Sequence, residues 1–211
     1  MKLTTITHLT VDGVIQGLGG PDEDRSADFD RGGWQADFWD PESGRALNEI
    51  IQRADAFLYG RRTYDIFASY WPTVTDPGNP IASAFNAKPK YVASTTLTDP
   101  TWAGTTVLDG DLAAAIADLK AKGDGELQVQ GSCALVRWLL ANELVDEVAL
   151  MVYPVILGQG KRLFPDTGLD TRLELAESRS FPKGVTLQVY RPAGRPRYGW
   201  SGDIPNEDIG G

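Results

Sequence analysis

The stretch 56–65, AFLYGRRTYD, decides how the rest of the chain is read. A run of strand length, apolar and aromatic, breaks into Gly60, passes Arg61, Arg62 and Thr63, and continues as an amphipathic pattern. A strand that turns through glycine straight into a helix leaves unpaired backbone N–H groups, and the positive end of the helix dipole, at the carboxyl edge of a sheet. Such an edge binds phosphate. Gly60 lets a ligand approach the backbone, an arginine adds a charged donor and Thr63 a hydroxyl. Taken alone, a junction of this kind more often marks only a tight turn.

The same pattern recurs twice. KYVASTTL (90–97) leaves a strand into Ser94, Thr95 and Thr96, and LQVQGSCAL (127–135) leaves one into Gly131 and Ser132. Three exits on one edge suit a long ligand with several phosphates, and a dinucleotide is the obvious candidate. The G-x-G-x-x-G fingerprint is absent, because GLGGPD (17–22) lacks its third glycine and no helical pattern follows.

Around these exits the periodicity alternates. Strands are expected at 2–9, 55–59, 90–94, 104–108, 127–130 and 147–157, the last with Pro154 marking an edge or bulge. Helical spacing places Leu47, Ile50, Ile51 and Ala54 on one face of a helix over 43–54. Further helices follow over 61–69, around Leu112 to Leu119 and around Leu135 to Leu140. The connection between 70 and 89, rich in Pro and Gly, reads as irregular. Residues 172–180 and 184–191 alternate around FPKG as an antiparallel hairpin. The expected fold is α/β in three layers: a mixed, mostly parallel sheet with helices on both faces and a C-terminal hairpin. Residues 1–191 form the domain and 192–211 a Gly- and Pro-rich tail, which Tyr198 and Trp200 could pin.

Composition excludes several classes. The chain has 211 residues, 42% of them hydrophobic and 23% charged, as expected of one globular domain. A net charge of −9 argues against a nucleic-acid surface, so an anionic ligand must be met by local cations. One Cys and one His leave no disulfide within the chain and no zinc site built from those residues. Neither a membrane span nor a leader's apolar core is visible after Met1, and the protein is expected to be cytoplasmic.

LTVDGVIQG (9–17), LYGRRTYD (58–65), KYVASTTL (90–97), QGSCALVRWLL (130–140) and LVDEVALMVYPVILGQGKRLF (144–164) resemble, in this order and spacing, the dihydrofolate reductase-like family. The closer likeness is to the branch containing the C-terminal reductase domain of bifunctional riboflavin biosynthesis proteins. The resemblance covers residues 1–191, and the deaminase signatures H-x-E and P-C-x-x-C are absent from the sequence. It implies NADPH as cofactor. Gly60, Arg61, Arg62 and Thr63 would meet its phosphates, Ser94, Thr95 and Thr96 its 2′-phosphate, and Gly131, Ser132, Ala134 and Leu135 its pyrophosphate. Val11 to Ile15 would lie beside the nicotinamide and the substrate.

For the substrate pocket the candidates are Val11, Ile15, Trp34, Asp40 and Glu42. Asp12 is the located candidate for a protein acid, with Asp40 and Glu42 behind it and water as the alternative. Each has a plainer reading. Asp12 in Val-Asp-Gly suits a turn that caps backbone N–H groups. Trp34 and Trp39 suit a core as well as a stacked heterocycle. Cys133, at a helix start where a thiolate is favoured, suits a small residue packed under a turn. His8 suits the core or edge of a strand better than a base, and Lys161 and Arg162 face either substrate or solvent.

Two functions therefore stand as expectations. One is an NADPH-dependent reductase of a small heterocycle, pterin- or folate-like or an aminopyrimidine of riboflavin synthesis, with hydride transfer that needs no protein nucleophile. The other is a nucleotide-binding module of the same fold without reductase activity. The resemblance also implies a homodimer.

Overall fold

The computed structural model describes residues 1–168 and 170–199. Strands β1 (Lys2–Thr10), β2 (Ala56–Gly60), β3 (Lys90–Ala93), β4 (Thr105–Leu108), β5 (Glu126–Gln130), β6 (Glu147–Tyr153), β7 (Leu173–Ser180) and β8 (Thr186–Pro192) form one sheet. Its order is β4-β3-β2-β5-β1-β6-β8-β7. The first six are mutually parallel, and β8 and β7 join antiparallel. The mixed, mostly parallel sheet is therefore as expected.

Helices α1 (Pro41–Arg53), α2 (Arg61–Tyr70), α3 (Pro80–Ala87), α4 (Leu112–Ala121) and α5 (Cys133–Ala141) cover both faces. Strand alternation explains the layers. Leu3, Leu58, Leu127, Val129, Val148 and Leu150 pack with Ile116 and Leu119 of α4 and with Val136 and Leu139 of α5. Phe57 and Tyr59, on the opposite face of β2, pack with Tyr64 and Phe85 from α2 and α3. Ile6, Ala149, Met151 and Tyr153 meet Ile50 of α1, Trp34 and the hairpin residues Val185, Leu187 and Val189.

Two elements depart from the sequence reading. The expected strand over 147–157 stops at Tyr153, because Pro154 has no N–H to offer the ladder. The segment 80–87, expected to be irregular, is α3: Pro80 takes the first turn, where its missing N–H costs nothing, and Asn79 Oδ1 accepts from Ala82 N–H at 3.0 Å. At the C-terminal side Arg172 N–H donates to the Gly194 carbonyl, and Tyr198 donates to Asp170 Oδ2 at 2.7 Å. Trp200 lies outside the described residues. No helix among them is long and apolar enough to cross a membrane.

One buried cation ties α3 to the sheet. Lys90, fully buried at the start of β3, donates Nζ–H to the carbonyls of Phe85 (2.8 Å), Asn86 (3.1 Å) and Lys88 (2.7 Å), and sits 4.8 Å from the centre of the Trp102 ring. These are the orphan carbonyls of a helix end. Burial brings its pKa down to about 8. Replacing Lys90 by Met would leave three inward-facing carbonyls without a donor. The expected loss is about 2–4 kcal/mol of stability, read from urea midpoints, and an unchanged midpoint would refute the tie.

Candidate active site

The carboxyl ends of the parallel strands collect three features in a row. At the first, the exits of β3 and β4, Ser94, Thr95, Thr96, Arg61, Leu108, Gly110 and Leu112 line a cavity of about 370 Å³. Arg61 is also paired through Nε with both carboxylate oxygens of Asp65 at 2.9 Å.

The second feature is a pair of helix starts. A Cβ added to Gly60 would lie 2.6 Å from Ser132 Oγ and 3.6 Å from Leu135 Cβ, so the turns before α2 and α5 touch and a side chain at residue 60 would have to displace that of Ser132. Gly131 (φ 73°) and Ser132 (φ 57°) swing the chain off β5 through two left-handed residues. Helices α1, α3 and α4 are each capped by a side chain, from Asp40, Asn79 and Asp111. Neither α2 nor α5 has a side-chain cap, and their first N–H groups are left for another acceptor.

The third is the free edge of β1. The ladder between β1 and β5 ends at Ile6 opposite Gln130, with Gly131 N–H donating to the Ile6 carbonyl at 2.9 Å. Strand β1 runs on to Thr10. Because alternate residues point their amides the same way, His8 turns its N–H and C=O toward the side from which β5 has departed. Among the described residues those two groups have no hydrogen-bond partner, leaving a donor and an acceptor in the middle of the sheet beside the α5 turn.

Asp12 holds this extension of β1 in place. Its carboxylate accepts from the Thr10 hydroxyl (2.6 Å), Leu157 N–H (3.2 Å) and Gly158 N–H (2.8 Å), and Arg162 Nη2 stands 3.5 Å away. Burial alone would push the carboxyl up, but the Thr10, Gly158 and Leu157 bonds outweigh it and bring its pKa down to about 2. The bonds that Asp12 accepts hold it ionised at neutral pH, where it joins the β1 and β6 exits as a latch.

On the α1 face of the same edge lies a polar cluster. His8 Nδ1 is 2.9 Å from the Tyr153 hydroxyl, which also accepts from Gln35 Nε2 at 2.9 Å. Gln130 Nε2 donates to Gln128 Oε1 alongside. Asp40 is buried as the cap of α1, with Oδ1 accepting from Glu42 and Ser43 N–H while Oδ2 has no partner. Burial pushes this carboxyl up, and the Ser43 and Glu42 bonds and Arg45 bring it below its ordinary value. Packing lowers the His8 pKa to about 4, so the ring is neutral at pH 7. Burial raises the Tyr153 hydroxyl, against the Gln35 bond.

The remaining expected residues fall as follows. Trp34 is buried, donates its indole N–H to the Gln16 carbonyl at 2.8 Å and meets the Tyr153 ring edge-on at 5.3 Å, so it walls the cluster from within. Trp39 and Val11 are exposed, Ile15 is half-buried against the α4 and α5 core, and Glu42 lies on the solvent side of α1. Thr63 is half-buried and Ala134 exposed at their helix starts. Burial pushes the Cys133 thiol up, which removes the thiolate reading.

Arg62 is not free: it pairs with Asp24 from the long loop after β1. Lys161 reaches the same carboxylate at 2.9 Å and Ser26 Oγ at 2.6 Å. Gln16 Nε2 bonds the carbonyls of Asp24 and Ser26 at 3.0 and 2.9 Å, which fixes the loop over the site. Burial raises the Asp24 carboxyl, yet Ser26 and Lys161 bring its pKa down to about 2. Sequence reading missed Asp24, Gln35 and Tyr153 because partners of each lie far away in the chain, and Gln130 because its pairing with Gln128 shows only once β5 is placed in the sheet. Only the polar residues of β5 and β6, out of place in strands buried on both faces, could have signalled them.

Sheet order and helix placement define the class: an α/β protein with the dihydrofolate reductase-like fold. The RibD C-terminal domain model matches residues 2–187, and the chain belongs to that family. Two curated relatives come from Bacillus subtilis (strain 168). The uncharacterized protein YyaP is 29% identical over 184 residues, 86% of this chain and 90% of that one. YwjB, also uncharacterized, is 25% identical over 193 residues, 90% and 99% of the two. Among solved structures, a putative riboflavin biosynthesis protein from Shewanella sp. PV-4 aligns with a TM-score of 0.64 at 23% identity, covering 92% of this chain and 99% of that one. A dihydrofolate reductase from Enterococcus faecalis complexed with NADP(H) aligns at 0.58 and 15% identity, covering 90% and 96%.

The shifted groups imply an acid response. His8 resists protonation in the native state, so below its ordinary 6.5 the unfolded chain takes up a proton the folded one refuses, and stability falls as pH drops toward 4. Asp12 and Asp24 contribute stability that is whole above 3.8 and lost as pH falls through about 2. Urea midpoints against pH should show both falls, the first no steeper than about 1.4 kcal/mol per unit. A His8→Gln variant should lack the first fall and keep the second.

Proposed function

We propose that this protein is an NADPH-dependent oxidoreductase that reduces a small heterocycle. One observation carries the reading: the hydroxyl-lined cavity, the two uncapped helix starts and the unpaired His8 edge lie in sequence along one sheet edge. That order matches the polar groups of a phosphorylated dinucleotide. Ser94, Thr95, Thr96 and Arg61 suit the adenosine 2′-phosphate, the N–H groups of α2 and α5 suit the pyrophosphate, and the His8 N–H and C=O suit a carboxamide. Family membership supports the same reading, as does the cofactor named with the Enterococcus faecalis structure.

The bound cofactor would supply hydride, which is why the site needs no nucleophile. The chain's part is to orient and to exclude water. Asp12 holds the β1 edge against the β6 exit, the Arg62–Asp24–Lys161 triad keeps the long loop over the helix starts, and Trp34 and Tyr153 close the α1 side. With Asp12 ionised, the proton that completes the reduction comes from solvent. The substrate class we favour is a ring of the pterin or aminopyrimidine kind, in keeping with the family's place in riboflavin biosynthesis. We place the protein in the cytoplasm, as a homodimer. Light scattering should then give twice the 22.9 kDa of one chain, and a single-chain mass would refute the dimer.

The cofactor assignment is tested by titrating with NADPH and NADH while following tryptophan fluorescence. NADPH should bind more tightly. Arg61→Ala should cost NADPH about 10- to 100-fold, the worth of a charge-assisted hydrogen bond, with little change for NADH. Failure of both nucleotides to bind would overturn the reading in favour of a fold kept without its chemistry.

A further inference from the structure

The chain's single imidazole occupies a position that the activity proposed above does not use. His8 is on the central strand, two residues past the last β5 partner, so its backbone lines the free edge while its side chain stands on the α1 face. One ring nitrogen is committed and the other is not. Nδ1 meets the Tyr153 hydroxyl, and Nε2 has no partner among the described residues and is not among the sealed, unpaired polar atoms.

The hydrogen bonds assign the tautomer. Gln35 Nε2 can only donate, so the Tyr153 oxygen accepts from it and the phenolic hydrogen is free to go to His8 Nδ1. A neutral imidazole that accepts at Nδ1 carries its hydrogen on Nε2. Asp40 Oδ2 makes no bond that would divert the phenolic hydrogen. Trp34 and Phe38 hold the Tyr153 ring edge-on at 5.3 and 6.1 Å, which fixes the hydroxyl and through it the imidazole. The result is a rigid, uncharged donor on the same residue as the open amide and carbonyl, and a fixed polar group of this kind sets the orientation of a bound ring.

We propose that His8 is a specificity-determining residue whose Nε2–H donates to an acceptor atom, a carbonyl oxygen or unprotonated ring nitrogen, of the heterocycle to be reduced, with Tyr153 and Gln35 as its positioning residues. This rests on the reductase reading. A neutral donor selects rings that present an acceptor and disfavours those that present an N–H there, because the latter leaves two donors face to face. It also gives hydrogen-bonding support where charge gathers on the heteroatom.

Because there is only one histidine, ¹⁵N-histidine labelling gives one pair of ring resonances. In the resting protein at pH 7 the long-range ¹H–¹⁵N spectrum should report the Nε2–H tautomer. With NADP⁺ bound, 6-aminouracil, a ring with carbonyl acceptors, should move the Nε2 resonance. Its Kd should weaken about 10- to 100-fold in His8→Phe and less than about tenfold in His8→Gln, which keeps a donor. Tyr153→Phe should release the tautomer preference while leaving near-ultraviolet ellipticity native. NADPH quenching measured on the same labelled wild-type protein separates the two readings. If NADPH binds but the ring is the Nδ1–H tautomer, or Nε2 stays still on addition of 6-aminouracil, the His8 proposal is overturned and the cofactor reading stands. If NADPH does not bind, both fall.

Discussion

The structure depends on a mismatch in length between two neighbouring strands. β5 stops at Gln130, opposite Ile6, while β1 continues to Thr10. In the interior of a sheet an unpaired N–H and C=O normally cost free energy, and a chain avoids them. Here the left-handed pair Gly131 and Ser132 takes β5 away at once into α5, leaving the His8 groups open at the same level as the α5 N–H groups. Were β5 two residues longer, it would close the gap and move the helix start off the edge.

Such an edge survives because β1 stays paired on its other side, with β6 as far as Thr10 opposite Tyr153. Asp12 extends that hold past the ladder by accepting from both Leu157 and Gly158 N–H, which ties the β1 exit to the β6 exit. Arg162 Nε donates to the Asp12 carbonyl at 2.8 Å from the same segment. The carboxylate that sequence reading offers as an acid thus serves better ionised, since protonation would remove an acceptor from one of these N–H groups. Its low pKa is the electrostatic face of a mechanical role.

How much of this was legible in the sequence follows from how local each feature is. Gly60 and Gly131 could be read as strand-to-helix turns because strand, glycine and helix pattern adjoin in the chain. Ser94 to Thr96 could be placed on an edge for the same reason. The mixed, mostly parallel sheet followed from alternating elements and the final hairpin, whereas the strand order did not. Helix α3 was missed because Asn79-Pro80 reads as a break, although that pair is also a cap followed by a favoured first residue. The His8–Tyr153–Gln35 cluster joins residues 145 and 118 positions apart, and no spacing rule reaches that far. The burial of Lys90 was hidden too, since a lysine before Tyr-Val-Ala reads as a solvated strand start until α3 is known to end against it.

Charge bears on what the carboxyl edge of the sheet offers an anion. With a net charge of −9, the molecule repels an anionic ligand at long range, so attraction must be local. Backbone N–H groups at helix starts supply it without adding side-chain charge that the acidic surface would neutralise. The side-chain cations near the edge show the alternative: Arg61 pairs with Asp65, while Arg62 and Lys161 share Asp24. Each cation is already matched in the protein, and a phosphate must compete for it. Among the described residues the uncapped amides of α2 and α5 have no side-chain competitor, so an anion reaching this edge would find them free at the two turns that touch at Gly60 and Ser132.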